Sequence, residues 1–390
     1  MRAAPEFDAV VVGAGSVGNP TAYFLEREGL RTLVLDELSA SGQGQNKAAI
    51  GGVRATHSDP AKITLCRQSL EIFSQWKETT GTDIGWKMGG YCFPAFTEKV
   101  ESTLRGLLAI QKKFRLAIDW MDAEELQRVV PGLNGDGLRG GTFSPEDGQV
   151  SPLLAAESFT NEAVRLGAVY RYREPVTSLW MQGSEVVGVR TDKGDYRATT
   201  VVNASGVNAS AICRMAGLDI PILPDSHEGG ISAPVEPFLG PLIVDLRPGP
   251  EGKTINFYFG QDANGQIIFC YTPIAPISGT NRNSTYEFMP IVAARLVEVI
   301  PRLKNLTVRR VWRGLYPMTP DGSPIVGRAP NVEGFVLGIG MCGQGFMLGP
   351  GVGKNLAALV AHGQPTIDPD VFGLLSPGRN LQRGRTEALK

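Results

Sequence analysis

Histidine and paired cysteines are scarce in this sequence. It holds three histidines and five cysteines in 390 residues, and no two cysteines form a CxxC pair. Zinc sites in proteins combine such pairs with each other or with histidine. We therefore expect no metal site, and we interpret the cysteines as reduced thiols.

Charge of one sign and long apolar runs are also missing. Lysine plus arginine number 38 against 39 acidic residues, which leaves a formal net charge of −1. Such a balance gives no long-range attraction to nucleic acid or to an anionic membrane. No apolar run approaches the ~18 residues of a membrane span, and the start of the sequence has no small-residue cleavage site. We expect a soluble, cytoplasmic protein with a small-molecule partner.

The beginning of the chain has the pattern of a βαβ unit. Residues 7–12 predict a buried parallel strand, residues 17–28 a helix that stops at Gly29, and residues 31–35 a second strand. Apolar strands on either side of an amphipathic helix are typical of a parallel sheet covered by helices. The sequence therefore opens on an α/β domain.

Three glycines follow the first strand in the segment GAGSVG, which fits a dinucleotide-binding turn. Gly13 permits a tight turn, Gly15 lets a pyrophosphate approach the backbone, and Gly18 lets helix and strand pack closely. The helix N-terminus adds N–H groups for the phosphates. Asp36, 18 residues after Gly18, can accept a hydrogen bond from a ribose hydroxyl. The motif predicts a dinucleotide but does not separate NAD from FAD.

Two later segments favour FAD. The predicted strand at 196–202 leads into small residues that would let a cofactor approach. Further glycines crowd the start of a last helix, predicted over 352–361, whose dipole would favour negative charge on a reduced flavin. These glycines are Gly343, Gly345, Gly349, Gly351 and Gly353.

The remaining pattern predicts two domains of different type. The first is an α/β, doubly wound, Rossmann-like flavin domain made of residues 1–85, 145–219 and 312–390. The second is an α+β substrate domain with a mainly antiparallel sheet, made of residues 86–144 and 220–311. The residues after Gly363 mix proline, glycine and arginine, and we expect a loosely packed tail there.

Five segments, in order, resemble the D-amino-acid oxidase and sarcosine oxidase superfamily of FAD enzymes, which includes glycine oxidase and dye-linked proline dehydrogenase. They are FDAVVVGAGSVG with VLD, QNKAAIGGVR, VVNASG, RGLYPMTPDGSPIVGRAP and GIGMCGQGFMLGPGVGKNLAALV. The resemblance covers nearly the whole chain. It implies FAD and oxidation of an amine or amino acid at its C–N bond, by hydride transfer to flavin N5 and hydrolysis of the imine.

The resemblance also implies which residues contact FAD. Residues 41–48 would line the ribityl and pyrophosphate path, Val176 would meet the adenine, and residues 343–347 would border the isoalloxazine. Gly314 stands where covalently flavinylated members carry cysteine, so we expect non-covalent FAD. The implied set is Gly13, Gly15, Ser16, Val17, Gly18, Asp36, Ser41, Gln45, Asn46, Lys47, Ala48, Val176, Ala204, Ser205, Gly206, Gly314, Gly343, Gln344, Gly345, Phe346 and Met347. A turn containing Asp321, Gly322, Pro324 and Gly327 would wrap the flavin end.

Arg54, Tyr316 and Gln344 are the implied catalytic residues. Arg54 stands where sarcosine-oxidase-like members bind the substrate carboxylate, a task that suits a two-donor fork. Tyr316 replaces the carboxylate-binding arginine of glycine-oxidase-like members, and Gln344 replaces a common histidine. Met347 replaces a second, carboxylate-binding lysine. Ile268 aligns with the lysine by which oxidases of this type activate oxygen, so we favour a dehydrogenase with an unknown electron acceptor.

Two other functions stay open. The first is an FAD-dependent dehydrogenase of 2-hydroxy acids or of glycerol 3-phosphate. A phosphate substrate would need several convergent basic residues, and we find few: Arg54 and Arg313 are candidates, and Lys253 lies in a predicted loop. The second is a catalytically quiet flavoprotein subunit, for which the tail at 365–390 is the only indication.

Overall fold

The computed structural model describes residues 6–382 and 388–389. Residues 1–5, and within the predicted tail residues 383–387 and Lys390, lie outside the described residues. The helices are α1 Gly18–Arg27, α2 Pro60–Thr80, α3 Glu98–Lys113, α4 Ala123–Val129, α5 Pro152–Leu166, α6 Ala209–Met215, α7 Phe288–Val299, α8 Gly345–His362 and α9 Pro369–Gly373. Over these described ranges, no helix has the length and apolar character needed to cross a bilayer.

The strands form two large sheets and one small one. They are β1 Phe7–Val12, β2 Thr32–Asp36, β3 Gly52–Val53, β4 Lys87–Met88, β5 Tyr91–Ala95, β6 Asp119–Met121, β7 Gly140–Ser144, β8 Gly148–Gln149, β9 Val169–Tyr172, β10 Val176–Gln182, β11 Glu185–Thr191, β12 Asp195–Asn203, β13 Leu223–Pro234, β14 Leu242–Asp245, β15 Thr254–Gln261, β16 Gln266–Pro273, β17 Val308–Met318, β18 Ile325–Arg328 and β19 Phe335–Ile339.

The first large sheet has a parallel centre. Strand β1 pairs in parallel with β2 and β12, β2 with β9, and β12 with β19. Each face of this sheet has its own apolar core. Alternate side chains of β1 pack into these two cores, because successive side chains of a strand point to opposite faces. Val11 packs with α1, α2, α5 and α8, and Val10 packs with α6 and the β10–β11 hairpin. The predicted doubly wound domain is confirmed.

The second large sheet has the order β17-β13-β16-β15-β14-β5-β7-β6. Its neighbours are antiparallel except β14 and β5, which run parallel. Helices α4 and α7 close its core. The predicted antiparallel substrate domain is therefore confirmed as a fold. Strand β17 crosses the proposed boundary at residue 312, because Met318 still pairs with Leu223 in this sheet, and the division into domains stays a prediction.

The segment between β2 and β3 lies between the two sheets. Its short 3-10 helix, Asn46–Ala48, is tied at both ends. The Asn46 amide donates to the Pro152 carbonyl at 2.8 Å, and the Trp312 indole donates to the Ala48 carbonyl at 2.9 Å. Because Trp312 belongs to β17, this segment joins α5 of the first domain to the edge of the second sheet.

The predicted start of the last helix was wrong. Helix α8 begins at Gly345, not at residue 352, and it continues through Pro350. A Cβ on Gly349 would lie 1.9 Å from the Ser16 carbonyl oxygen, and one on Gly351 would lie 2.2 Å from that of Leu65. The glycines at the start of the last helix therefore allow α8 to pack closely against the turn after β1 and against α2.

The expectation of a loosely packed tail was also wrong for residues 364–382. Helix α9 packs there, and Leu375 is fully buried. Arg379 pairs with Asp321 through Nε and Oδ2 at 2.7 Å. Burial acts to raise the pKa of Asp321, but hydrogen bonds and the charge of Arg379 outweigh it and hold this pKa below its usual range. The ion pair fixes the tail to the turn that was predicted to wrap the flavin.

Candidate active site

A cavity of about 810 Å³ extends from the turn after β1 to the second sheet. Its wall includes Gly15 and Asp36 of the first domain, and Tyr258 and Tyr316 of the second. Sites for small molecules and cofactors commonly enclose ~300–1,000 Å³. The cavity is therefore large enough for a cofactor and a small substrate together.

The turn after β1 leaves the backbone accessible from the cavity. Gly13 has a φ of +106°, and a Cβ there would lie 2.6 Å from the Ala204 carbonyl oxygen. No atom lies within 4 Å of a Cβ built on Gly15. Asp36 accepts the Ala14 N–H at 2.7 Å, which fixes the turn against the end of β2. A pyrophosphate can thus reach the N–H groups at the start of α1, as an FAD site of this kind requires.

Most residues predicted to contact FAD line this cavity. They are Gly13, Gly15, Ser16, Val17, Asp36, Gln45, Asn46, Ala48, Val176, Ala204, Ser205, Gly206, Gly314, Gly343, Gln344, Gly345, Phe346 and Met347. Of the turn at 321–327, Gly322 lines the cavity. Residues 41–48 and 343–347 thus approach one space from opposite ends of the sequence.

Three predicted FAD residues lie outside the wall, and contact with FAD stays a prediction for the whole set. Gly18 packs against the turn, since a Cβ there would lie 1.8 Å from the Gly13 carbonyl oxygen. The Ser41 hydroxyl hydrogen-bonds the Tyr172 hydroxyl at 2.8 Å. Lys47 is exposed. A shared segment in sequence does not decide which of its side chains face inward.

Two tyrosines of the second sheet, Tyr258 from β15 and Tyr316 from β17, meet in the cavity. The Tyr258 and Tyr316 hydroxyl oxygens lie 3.1 Å apart, and burial raises the pKa of both. The Tyr316 ring packs over Gly343, where a Cβ would lie 2.3 Å from it. Tyr316 therefore connects the second sheet with the loop at 343–347, which is predicted to border the isoalloxazine.

Asp225 and His227 of β13 extend this group. The His227 ring lies on Tyr316 with centroids 3.9 Å apart, and its Nε2 lies 3.4 Å from Asp225 Oδ2. Burial acts to raise the pKa of Asp225, but hydrogen bonds from His227 and from the Ser226 and Ile277 N–H groups hold it below its usual range. Asp225 is thus ionised at neutral pH, and it orients the imidazole against the tyrosine.

Arg54 is a buried cation in the cavity wall, with 6% of its surface exposed. Its Nη1 donates to the Thr56 carbonyl and lies 3.4 Å from His57 Nδ1, and its Nη2 donates to the Leu389 carbonyl at 2.7 Å. The guanidinium also lies 5.6 Å from the Phe93 ring centre. Within the described ranges, no acidic side chain forms an ion pair with it. A guanidinium held by neutral acceptors can still take up a carboxylate.

Asp147 lies near Arg54 and is almost fully buried. Burial raises its pKa to about 7, although the Ala55 N–H and the charge of Arg54 act in the opposite direction. Its Oδ1 accepts the Ala55 N–H at 3.0 Å. Asp147 is therefore only partly ionised at neutral pH and does not neutralise Arg54 fully.

Among the wall residues that sequence reasoning missed are Lys62, Asp225, His227 and Tyr258. Lys62 is 1% exposed, and its Nζ donates to the Gly322 carbonyl at 3.3 Å. A lysine in the first turn of a helix carries no signal of burial. The other three lie on strands whose inward faces depend on pairing between distant segments. Ile268 does not line the cavity, whereas Cys270 and Thr272 of the same strand do.

Comparison with known proteins decides the family. Residues 8–359 match the family described as FAD dependent oxidoreductase, DAO. The chain belongs to this family. The predicted enzyme class and the predicted cofactor, FAD, are therefore confirmed.

Several individual relatives of this flavoenzyme are named as dehydrogenases or oxidases of amino acids. It is 26% identical to human mitochondrial dimethylglycine dehydrogenase over 94% of this chain and 44% of the relative. It is 25% identical to Bacillus subtilis glycine oxidase over 93% of this chain and 95% of that one. The crystal structure of L-proline dehydrogenase from P. horikoshii superposes with a TM-score of 0.88 and 28% identity, covering 96% and 98% of the two chains. The flavoenzyme thus spans under half of dimethylglycine dehydrogenase and nearly all of the other two.

Proposed function

We propose that this flavoenzyme oxidises the C–N bond of an amino acid or N-alkyl amino acid of the sarcosine, proline or glycine type. The named relatives act on substrates of this class. The observation that carries the proposal is Arg54, a buried guanidinium that lines the cavity without a carboxylate partner among the described residues. An amino acid would bring the missing carboxylate.

Arg54 is suited to hold that carboxylate. A guanidinium has five N–H donors, and the contacts with Thr56, His57 and Leu389 use three of them. The Nε–H and one Nη2–H keep no hydrogen-bond partner among the described residues. Two donors on one edge of the guanidinium match the two oxygens of a carboxylate. Burial strengthens such a pair, because little water competes with it.

Residues of the second sheet would hold the amine end of the substrate. Bound FAD supplies the two-electron acceptor, and the residues that would hold it are those of the turn after β1 and of the loop before α8. The Tyr258 and Tyr316 hydroxyls can accept from the substrate N–H or donate to its carboxylate. Gln344 adds a buried amide oxygen that has no hydrogen-bond partner among the described residues. Such a wall excludes water and orients the reacting C–H bond.

Non-covalent FAD is supported by the packing at Gly314. A Cβ on Gly314 would lie 2.6 Å from the Ala48 Cβ. A cysteine could therefore enter this position only if the segment at 46–48 moved. We infer that the flavin dissociates when the protein unfolds.

An electron acceptor other than oxygen is supported by strand β16. Its side chains in the cavity wall, Cys270, Thr272 and Pro273, carry no positive charge. Lys62, from α2, is the lysine that reaches the wall instead. A comparison of flavin reoxidation by air and by an artificial dye, in the wild type and in Lys62→Met, tests the preference for a dehydrogenase. Reoxidation by air as fast as by dye would contradict it.

The first experiment is an anaerobic titration of the purified flavoenzyme. We expect absorbance near ~450 nm that passes into the supernatant on acid precipitation and bleaches with sarcosine, L-proline, glycine or D-alanine. Glycerol 3-phosphate and 2-hydroxy acids serve as the matched alternatives. Bleaching by these alone would overturn the proposal, and no bleaching by either class would favour a quiet flavoprotein subunit.

A further inference from the structure

Residues 388 and 389 lie directly behind the cavity wall. The Leu389 carbonyl accepts from Arg54 Nη2 at 2.7 Å, and the Ala388 N–H donates to Ser58 Oγ at 3.1 Å. Both partners belong to the short segment after β3. A part of the chain more than 300 residues away in sequence thus contacts the residue proposed to bind the substrate carboxylate.

The Leu389 side chain is anchored in a compact apolar cluster and is 1% exposed. Its cluster also contains Tyr91, Phe93, Ala95, Leu104, Leu242 and Val244. Tyr91 and Val244 line the cavity, whereas Leu389 does not. Leu389 therefore supports the wall from outside and does not compete for the substrate's space.

The contact adds a restraint on a long side chain. An arginine loses considerable rotamer freedom when it is fixed, and a site that is fixed beforehand spares the ligand this cost. Thr56 holds Nη1 and Leu389 holds Nη2, so two backbone carbonyls set the plane of the guanidinium. The remaining N–H donors then have a defined direction.

We propose that Leu389 is a positioning residue, whose carbonyl orients Arg54 so that its remaining donors meet the substrate carboxylate. The inference rests on the carboxylate-binding role of Arg54 in the proposed function. It differs from a stabilising contact in one respect. Loss of Leu389 should weaken the binding of carboxylates selectively.

The test compares two ligands of the same shape on the holoenzyme. Pyrrole-2-carboxylate and pyrrole-2-carboxamide are titrated while the flavin absorbance is followed. The variants are a truncation after Gln382, Leu389→Ala, Leu389→Met as the conservative replacement, and Ser58→Ala, which loses the Ala388 contact. Leu126→Ala is the matched control, because Leu126 is fully buried in another cluster and does not line the cavity.

We expect the truncation and Leu389→Ala to weaken carboxylate binding about tenfold, which is the loss of one well-aligned charged hydrogen bond. The amide should change less than about twofold, and Leu389→Met should restore the carboxylate affinity. For turnover of an amino acid, KM should rise while kcat changes little. Leu126→Ala should lower the melting temperature without changing the ratio of the two affinities. If the truncated protein does not fold, Leu389→Ala and Ser58→Ala carry the test.

The outcomes separate the inference from the proposed function. Arg54→Met provides the reference, and it should abolish the preference for the carboxylate. If Arg54→Met loses this preference while every change at Leu389 keeps it, the positioning role is wrong and the proposed function stands. If Arg54→Met keeps it, the proposed carboxylate site itself is wrong. Tighter carboxylate binding after truncation would mean that Leu389 competes with the substrate, which also overturns the inference.

Discussion

The two ends of the cavity are built from different parts of the polypeptide. At the nucleotide end, the wall is mainly backbone at the ends of β1 and β12, where Gly13 and Gly206 have positive φ values. At the substrate end, the wall is made of side chains from distant strands, among them His227, Tyr258 and Tyr316. The first end depends on a local turn, and the second depends on long-range pairing.

The two ends also differ in how well their polar atoms are satisfied. Both Asp36 oxygens accept backbone N–H groups, from Ala14 and Leu38. Towards the substrate end, Asp147 Oδ2 and His227 Nδ1 are buried without a hydrogen-bond partner among the described residues. Buried polar atoms without partners cost stability and are concentrated at functional sites. The protein thus satisfies both oxygens of the aspartate at the nucleotide end, whereas His227 Nδ1 at the substrate end is left for a ligand. Asn46 Oδ1, on the segment that joins the two ends, also has no partner among the described residues.

The largest expected effect concerns the nucleotide end. Gly13→Ala should abolish FAD retention and destabilise the fold by on the order of 3 kcal/mol, because the new Cβ meets the Ala204 carbonyl at an unfavourable φ. Gly29→Ala is the control: Gly29 also has a positive φ of +78°, but no atom lies within 4 Å of its Cβ position. This variant should lower the free energy of unfolding by about 1 kcal/mol, and the protein should retain FAD. The ratio of flavin to protein and the melting temperature measure both, and equal FAD retention would show that the turn tolerates a side chain.

The next effect concerns the charge at the substrate end. Arg54→Met should lower kcat/KM for the best amino-acid substrate about a thousandfold, because a buried carboxylate then has no partner. Arg54→Lys should recover part of this loss, since it restores the charge but not the two-donor edge. Steady-state kinetics with a dye as acceptor measure the series. A full recovery by lysine would show that the charge alone matters and would weaken the contrast between the two ends.

A smaller effect is expected at the tyrosine pair. Tyr316→Phe and Tyr258→Phe should each lower kcat/KM about tenfold. The decrease in kcat/KM for the double variant should be smaller than the product of the two single decreases. The hydroxyls hydrogen-bond each other at 3.1 Å, so either removal already disturbs both. A double-mutant cycle measures the coupling. Strict additivity would mean that the hydroxyls act independently on the substrate.

The same contrast explains what the sequence could predict. Gly13, Gly15 and Asp36 lie within one βαβ unit, so their spacing alone predicted the turn, the fold class and a dinucleotide. The inward position of His227 depends instead on pairing between β13 and two distant strands, β16 and β17. No periodicity within β13 indicates these partners.

Predictions also failed where one residue type serves two purposes. Glycines at 349–353 suggested a flavin site at the start of the last helix, yet they allow close packing of α8 with its neighbours. Arg379 in the supposed loose tail has a buried partner, Asp321, 58 residues away. Neither glycine nor arginine indicates by itself whether its partner is a ligand or the protein.

The smallest expected effect is a pH-dependent one at Asp147. Burial raises its pKa to about 7, above the ~3.9 of an aspartate in the unfolded chain. The folded protein therefore binds more protons than the unfolded chain between about pH 4 and pH 7, and this group lowers stability as the pH rises through that window.

The Asp147→Asn variant tests this effect, because its side chain cannot ionise and keeps an oxygen for the Ala55 N–H. Relative to the wild type, its free energy of unfolding should rise by about 2.6 kcal/mol between pH 5 and pH 8, measured by urea unfolding at both values. The Asp225→Asn variant is the control: the pKa of Asp225 is lowered by its partners, so Asp225 is ionised at both pH values, and its variant should be destabilised equally at pH 5 and pH 8. If Asp147→Asn shows the same pH dependence as the wild type, Asp147 is ionised in the folded state and already serves as the counter-ion of Arg54.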